Sequence, residues 1–177
     1  SISALKLKLA VEKSLSLPLA LVALFQHPTP EALADLLRRG ASGGQASPLI
    51  PLTAVARQPG AARPFFLVPG GGSTPFYLMA LAKELSGLPV YGLQPRGLDG
   101  EAPAHETVES EAAWYLEAIC AVQPVGPYFV GGHSIGGHVA YEIARQLAKA
   151  GQEIGLVALL DTVAPFPEAT RPMGTGW

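Results

Sequence analysis

A chain of 177 residues, 49% hydrophobic and 15% charged with a formal net charge of −2, is long enough for one full domain or parts of two. That charge and a pI near 6.1 leave no electrostatic footprint for nucleic acid or an anionic membrane, so neither is expected as a partner. The single cysteine, Cys120, cannot form an internal disulfide, which suits a reducing cytoplasm, and it reads as a small core residue.

Ile2 to Lys13 carries a loosely helical apolar pattern that Leu17-Pro18-Leu19 interrupts, and Leu21 to Phe25 follows as a short apolar turn or helix. Leu15 to Phe25, with Lys6, Lys8 and Lys13 ahead of it, has the outline of a secretory signal. That reading is rejected: Glu12 breaks the basic flank, Pro18 splits the run, there is no initiator Met, and the run is too short to cross a bilayer. Thr29-Pro30-Glu31 is a helix start, with a Thr cap, Pro at the first position and an acid in the first turn. The helix runs from Glu31 to Arg38 with Leu33, Leu36 and Leu37 inward. Gly40 to Gln45 is a flexible linker by composition, and a domain boundary is drawn there.

Two pieces of this first stretch, Ser1-Ile2-Ser3-Ala4-Leu5-Lys6-Leu7 and Leu24-Phe25-Gln26-His27-Pro28-Thr29, resemble the second half of an acyl or peptidyl carrier domain of a modular synthetase. The resemblance implies that Ser1 carries a 4'-phosphopantetheine arm. It makes residues 1–39 a helical carrier remnant and 40–63 a linker.

Beyond Pro48 to Arg63, a connector containing Pro and Ala, the periodicity becomes alternating strand and helix. Phe65 to Val68 is a short buried strand, Pro69-Gly70-Gly71-Gly72-Ser73 the loop after it, and Thr74-Pro75 a helix start with Tyr77, Leu78, Leu81 and Leu85 on one face. Val90 to Leu93 is the next strand, followed by a long polar loop from Gln94 to Ala104. Thr107 caps a helix with Val108, Ala112, Tyr115, Leu116 and Ile119 inward, ending before Pro124. Tyr128-Phe129-Val130 is the central strand; it runs into Gly131-Gly132-His133-Ser134-Ile135-Gly136-Gly137, then a helix to Ala150, then the strand Leu156 to Leu160 ending at Asp161. Four short apolar strands separated by helices predict an α/β fold with a mostly parallel sheet and right-handed crossovers. Such sheets place function at the carboxyl ends of their strands.

Three candidates fall at such ends. Ser134 lies within Gly-x-Ser-x-Gly between a strand and a helix, the setting of a nucleophile elbow. Asp161 ends the adjoining strand and can orient a base. The N–H of Ile135, with that of Gly70 or Gly71, can form an oxyanion hole. The base itself is not apparent. Of the four histidines, His27 lies in the helical stretch, His105 on a loop, His133 beside the nucleophile and His138 in the next helix; none follows Asp161, where this fold class places it. No grouping has metal-ligand spacing, and Gly70 to Ser73 lacks the Lys-Ser/Thr pair of a nucleotide loop.

The stretch from Phe65 to Pro165 resembles the N-terminal half of a type I thioesterase domain, the releasing domain of nonribosomal peptide and polyketide synthetases. The matching pieces are Val68-Pro69-Gly70-Gly71-Gly72, Val90 to Gly100, Gly131 to Gly137 and Leu159-Leu160-Asp161-Thr162. The resemblance implies a partial α/β-hydrolase over residues 64–177, an acyl-enzyme on Ser134 and Asp161 as the triad acid. It also implies a tethered carrier domain and upstream synthetase modules as partners, and little activity without the missing His. Three readings compete: a malonyl-type acyltransferase, which would want Glu where Gly137 stands; a free esterase; and a catalytically dead carrier-docking module.

Overall fold

The computed structural model describes residues 2–21, 23–27, 29–39, 47–57, 62–85, 87–98 and 102–163. Ser1, the expected attachment site, lies outside them. The first stretch is helical as expected: α1 (Ile2–Leu15), α2 (Ala23–Gln26) and α3 (Pro30–Arg38). Thr29 caps α3 by accepting the N–H of Ala32 at 3.2 Å, and Leu19, Ala23 and Leu36 form a small core.

The remainder is an α/β sheet built from β1 (Leu49–Pro51), β2 (Phe65–Val68), β3 (Val90–Leu93), β4 (Tyr128–His133) and β5 (Ile154–Leu160), in the order β1-β3-β2-β4-β5. All pairings are parallel except that of β1 with β3. The helices are α4 (Met79–Glu84), entered through a 3-10 turn at Pro75–Leu78, α5 (Val108–Val122) and α6 (Ile135–Lys149).

Strand alternation divides the core into two faces. Phe66, Val68, Tyr128 and Val130 join the buried faces of α5 and α6. Phe65 and Leu67 point to the other side, against Leu78 and Ala82. The sheet is therefore covered on both faces, the architecture expected of the α/β-hydrolase class. In α5, Ala112, Tyr115 and Ile119 are fully buried, and Thr107 caps the helix by accepting the N–H of Ser110.

Three details differ from expectation. The connector contains a strand: Leu49, Ile50 and Pro51 pair with Leu93, Gly92 and Tyr91, and Ile50 is fully buried. Tyr77 does not share the buried face of Leu78, because the 3-10 turn advances 120° per residue rather than 100° and leaves Tyr77 46% exposed. Cys120 is exposed, not core, since it stands one residue past the inward Ile119.

Candidate active site

The turn from β4 into α6 is held by backbone contacts that admit no side chain. A Cβ at Gly132 would overlap the carbonyl of Gly136, and one at Gly136 would overlap the carbonyl of Pro69. Ser134, between them, has φ 56° and ψ −125°, a conformation L-residues rarely adopt and one costing on the order of 1–3 kcal/mol. Its surroundings hold it there: its N–H donates to the carbonyl of Leu160 at 2.9 Å. Its carbonyl accepts from Gly137 N–H at 3.0 Å and from the Thr162 hydroxyl at 3.1 Å. The outcome is a serine exposed at the tip of a sharp strand-to-helix turn, at the positive end of a 15-residue helix.

Ile135 opens that helix, so its N–H has no intrahelical acceptor. The Pro69 to Ser73 loop comes alongside. A Cβ on Gly71 would lie 3.1 Å from Cγ2 of Ile135, which brings the two candidate donor segments into contact. Gly71 is exposed and Gly70 is buried. The N–H of Gly70 donates to the hydroxyl of Tyr77 at 2.7 Å, and that hydroxyl lies 3.0 Å from Nδ1 of His133. The loop and the start of α6 line a cavity of about 270 Å³ that also reaches Arg96 and His105.

Asp161 directly follows β5, whose Leu160 pairs with His133 of β4. Ser134 and Asp161 are therefore neighbours at the ends of adjacent parallel strands. Asp161 is exposed and has φ 47°. Among the described residues no histidine is hydrogen-bonded to it. His138 sits on the first turn of α6, its Nε2 2.6 Å from the carbonyl of Val163; His105 packs against Trp114; and His133 packs edge-on against Tyr77.

Two contributors escape a reading of the sequence. Thr162 fastens the elbow from the next strand end, and Tyr77 fastens the glycine loop. Neither lies in a glycine-serine motif, and only the sheet register and the 3-10 turn bring them to the site.

No group of three or more His, Cys, Asp or Glu side chains able to hold a metal occurs among the described residues, and no described helix is long and apolar enough to cross a membrane.

The family model for thioesterase domains matches residues 63–175. The dimodular nonribosomal peptide synthase of Bacillus subtilis is 35% identical over 162 residues, which are 91% of this chain and 7% of that protein. The crystal structure of holo-AB3403, a four-domain nonribosomal peptide synthetase bound to AMP and glycine, superposes with a TM-score of 0.64 at 30% identity, over 97% of this chain and 13% of that one. The NocB thioesterase domain, in covalent complex with a fluorophosphonate nocardicin G analogue, superposes with a TM-score of 0.55 at 28% identity. That match covers 58% of this chain and 46% of the domain. The chain thus spans a small part of the synthetases it matches and less than half of that thioesterase domain.

Proposed function

Because the chain belongs to the thioesterase domain family, we propose that residues 64–177 form part of the releasing enzyme of a nonribosomal peptide or polyketide synthetase. On this reading it detaches an acyl or peptidyl chain from a phosphopantetheine thiol, by hydrolysis or by cyclisation. The observation that carries the reading is Ser134 at φ 56°, exposed between β4 and α6. A hydroxyl so placed is free to approach a thioester carbonyl from above the sheet.

The steps follow from the placement. Ser134 Oγ bonds to the thioester carbon while a base removes its proton, and collapse of the tetrahedral adduct breaks the carbon–sulfur bond and releases the arm as a thiol. Water, or a nucleophile within the chain itself, then displaces Ser134 from the acyl carbon. The developing oxyanion is met by Ile135 N–H and a second N–H from Gly70 or Gly71; losing one such donor costs about a hundred- to thousand-fold in rate. Asp161 orients the base. The resemblance places that base on a histidine that follows the acid in the chain, and none of the four present follows Asp161, so on this reading the 177 residues alone turn over little.

Residues 1–39 are the carrier remnant in this scheme, with Ser1 bearing 4'-phosphopantetheine, and 40–63 the linker. The helices α1 to α3 and the capped start at Thr29 support it. A tethered carrier presents its thioester at high effective concentration, so the covalent connection raises the rate without any new contact. Upstream synthetase modules supply the chain, and the cytoplasm is the compartment.

The test is intact mass spectrometry after fluorophosphonate treatment, on protein expressed from the gene's full reading frame and on the 177 residues alone. The expected result is one adduct on Ser134 in the former, absent in Ser134→Ala, and labelling of the latter no faster than that variant. Full-rate labelling of the 177 residues would place the base within them. No labelling of either would leave a carrier-docking module without catalysis.

A further inference from the structure

We propose that His138 is a positioning residue for the acid: by holding the chain that leaves β5 it keeps Asp161 within reach of the base. The proposal rests on Ser134 as nucleophile and Asp161 as triad acid. It goes beyond them by giving a task to a histidine that the reaction otherwise leaves unused.

Helical geometry places the ring. His138 stands four residues after Ser134, in the first turn of α6, and side chains on a helix lean toward its N-terminus. The imidazole therefore reaches back toward the end of β5, where Nε2 lies 2.6 Å from the carbonyl oxygen of Val163. A carbonyl only accepts, so Nε2 carries the proton. The neutral ring in that tautomer and the charged ring both donate, so the contact survives titration of His138.

This bond closes a span of chain centred on Asp161. Before the acid, the Leu160 carbonyl accepts the Ser134 N–H at 2.9 Å. After it, the Thr162 hydroxyl donates to the Ser134 carbonyl at 3.1 Å, and Val163 is bound by His138. Residues on both sides of Asp161 are thus fastened to the elbow and its helix. Asp161 itself is exposed, and among the described residues no hydrogen bond holds its carboxylate, so the placement of that group depends on its backbone. That backbone has φ 47°, a conformation that stays fixed in an L-residue only when its flanks are fixed. The Val163 side chain is 68% exposed and gains little from packing, which leaves the His138 bond to secure the far flank. Losing it loosens the turn that aims Asp161.

The experiment uses protein expressed from the gene's full reading frame and follows fluorophosphonate labelling of Ser134 by intact mass spectrometry across pH. The rate rises as the base loses its proton, so the inflection reports the pKa of the base, which a nearby carboxylate raises. His138→Leu is expected to slow labelling at the high-pH plateau roughly tenfold, a fraction of the roughly hundredfold that a misplacement of about 1 Å costs. The inflection should move to lower pH, the direction in which Asp161→Asn moves it. His138→Gln, which keeps a donor at similar reach, should restore both. In the Asp161→Asn background His138→Leu should cost nothing further, because the two act through one group. A slower rate with an unmoved inflection is ordinary loss of structure and overturns the proposal. So does an equal loss in the Asp161→Asn background, or a Gln variant as impaired as the Leu one. If Asp161→Asn labels as fast as the unsubstituted chain, the acid assignment is what fails; if the unsubstituted chain takes no label, the nucleophile assignment fails; in either case the proposal falls with it.

Discussion

Two parallel strands end side by side in this fold, and each ends in a non-glycine residue with positive φ: Ser134 after β4 at 56° and Asp161 after β5 at 47°. The ends differ in how they are held. Around Ser134 three glycines admit neighbouring atoms too closely for any Cβ, and both peptide groups of the serine are hydrogen-bonded. Asp161 is exposed, and aspartate tolerates a positive φ better than most residues. The contrast teaches where strain has to be supported. On the proposed reading, a nucleophile held in a conformation close to glycine-only needs a rigid surround, whereas an orienting acid needs only to be within reach.

The sharpest way to break that surround is Gly136→Ala. The new Cβ would collide with the carbonyl of Pro69, and backbone cannot step aside without moving β2 or α6. A loss of about 3 kcal/mol or more is expected, visible as a large drop in the denaturant midpoint. Gly137→Ala sharpens the comparison, because its Cβ would strike the Thr162 side chain rather than backbone. In that case Thr162→Ala should restore about half or more of the lost stability, while the same rescue of Gly136→Ala should fail. Equal rescue of both would mean that the elbow is not closed by backbone contact with Pro69.

This difference also explains what could be read in advance. Glycine at 132 and 136 around a serine, after an apolar run and before a helix, is a local signal, and so were the capping threonines at 29 and 107. β1 is not legible: three residues between Pro48 and Leu52 have too little length for a period, and their strand character comes from pairing with β3 some forty residues on. Tyr77 departs from the helical pattern for a local reason of another kind, since Pro75 begins a 3-10 turn whose rotation per residue sends it away from Leu78. Thr162 was legible only as a neighbour of Asp161. Its two hydrogen bonds, to Ser134 and Leu160, depend on the register between β4 and β5, which no local pattern encodes.

A second, smaller effect separates strain from chemistry at Ser134 itself. Ser134→Gly relieves the unfavourable backbone conformation, while Ser134→Ala keeps it, and both remove the hydroxyl. The glycine variant should therefore be the more stable of the two by about 1 kcal/mol, after subtracting glycine's greater unfolded-state entropy. Equal thermal midpoints for the pair would show that the turn is relaxed. Asp161→Gly against Asp161→Ala applies the same comparison to the end of β5, where φ is 47°, and should give a difference of the same sign.

The smallest expected effect lies farther along α6, where Glu142 is buried and takes a bidentate pair of hydrogen bonds from Arg145 at 2.6 and 2.7 Å and a third from Gln146. The Arg145 contacts, ahead of the opposing effect of burial, hold the Glu142 carboxyl below its ordinary value. A carboxyl that is more acidic when folded contributes stability above its unfolded pKa and loses it as pH falls through the folded one. Stability should thus decline between about pH 5 and pH 3, by no more than about 1 kcal/mol because Arg145 is half exposed. Glu142→Gln should flatten that decline in urea titrations across the range. Since α6 carries the elbow at its other end, the same variant should leave the Gly136→Ala and Gly137→Ala penalties unchanged, and any change would mean that the helix transmits strain along its length.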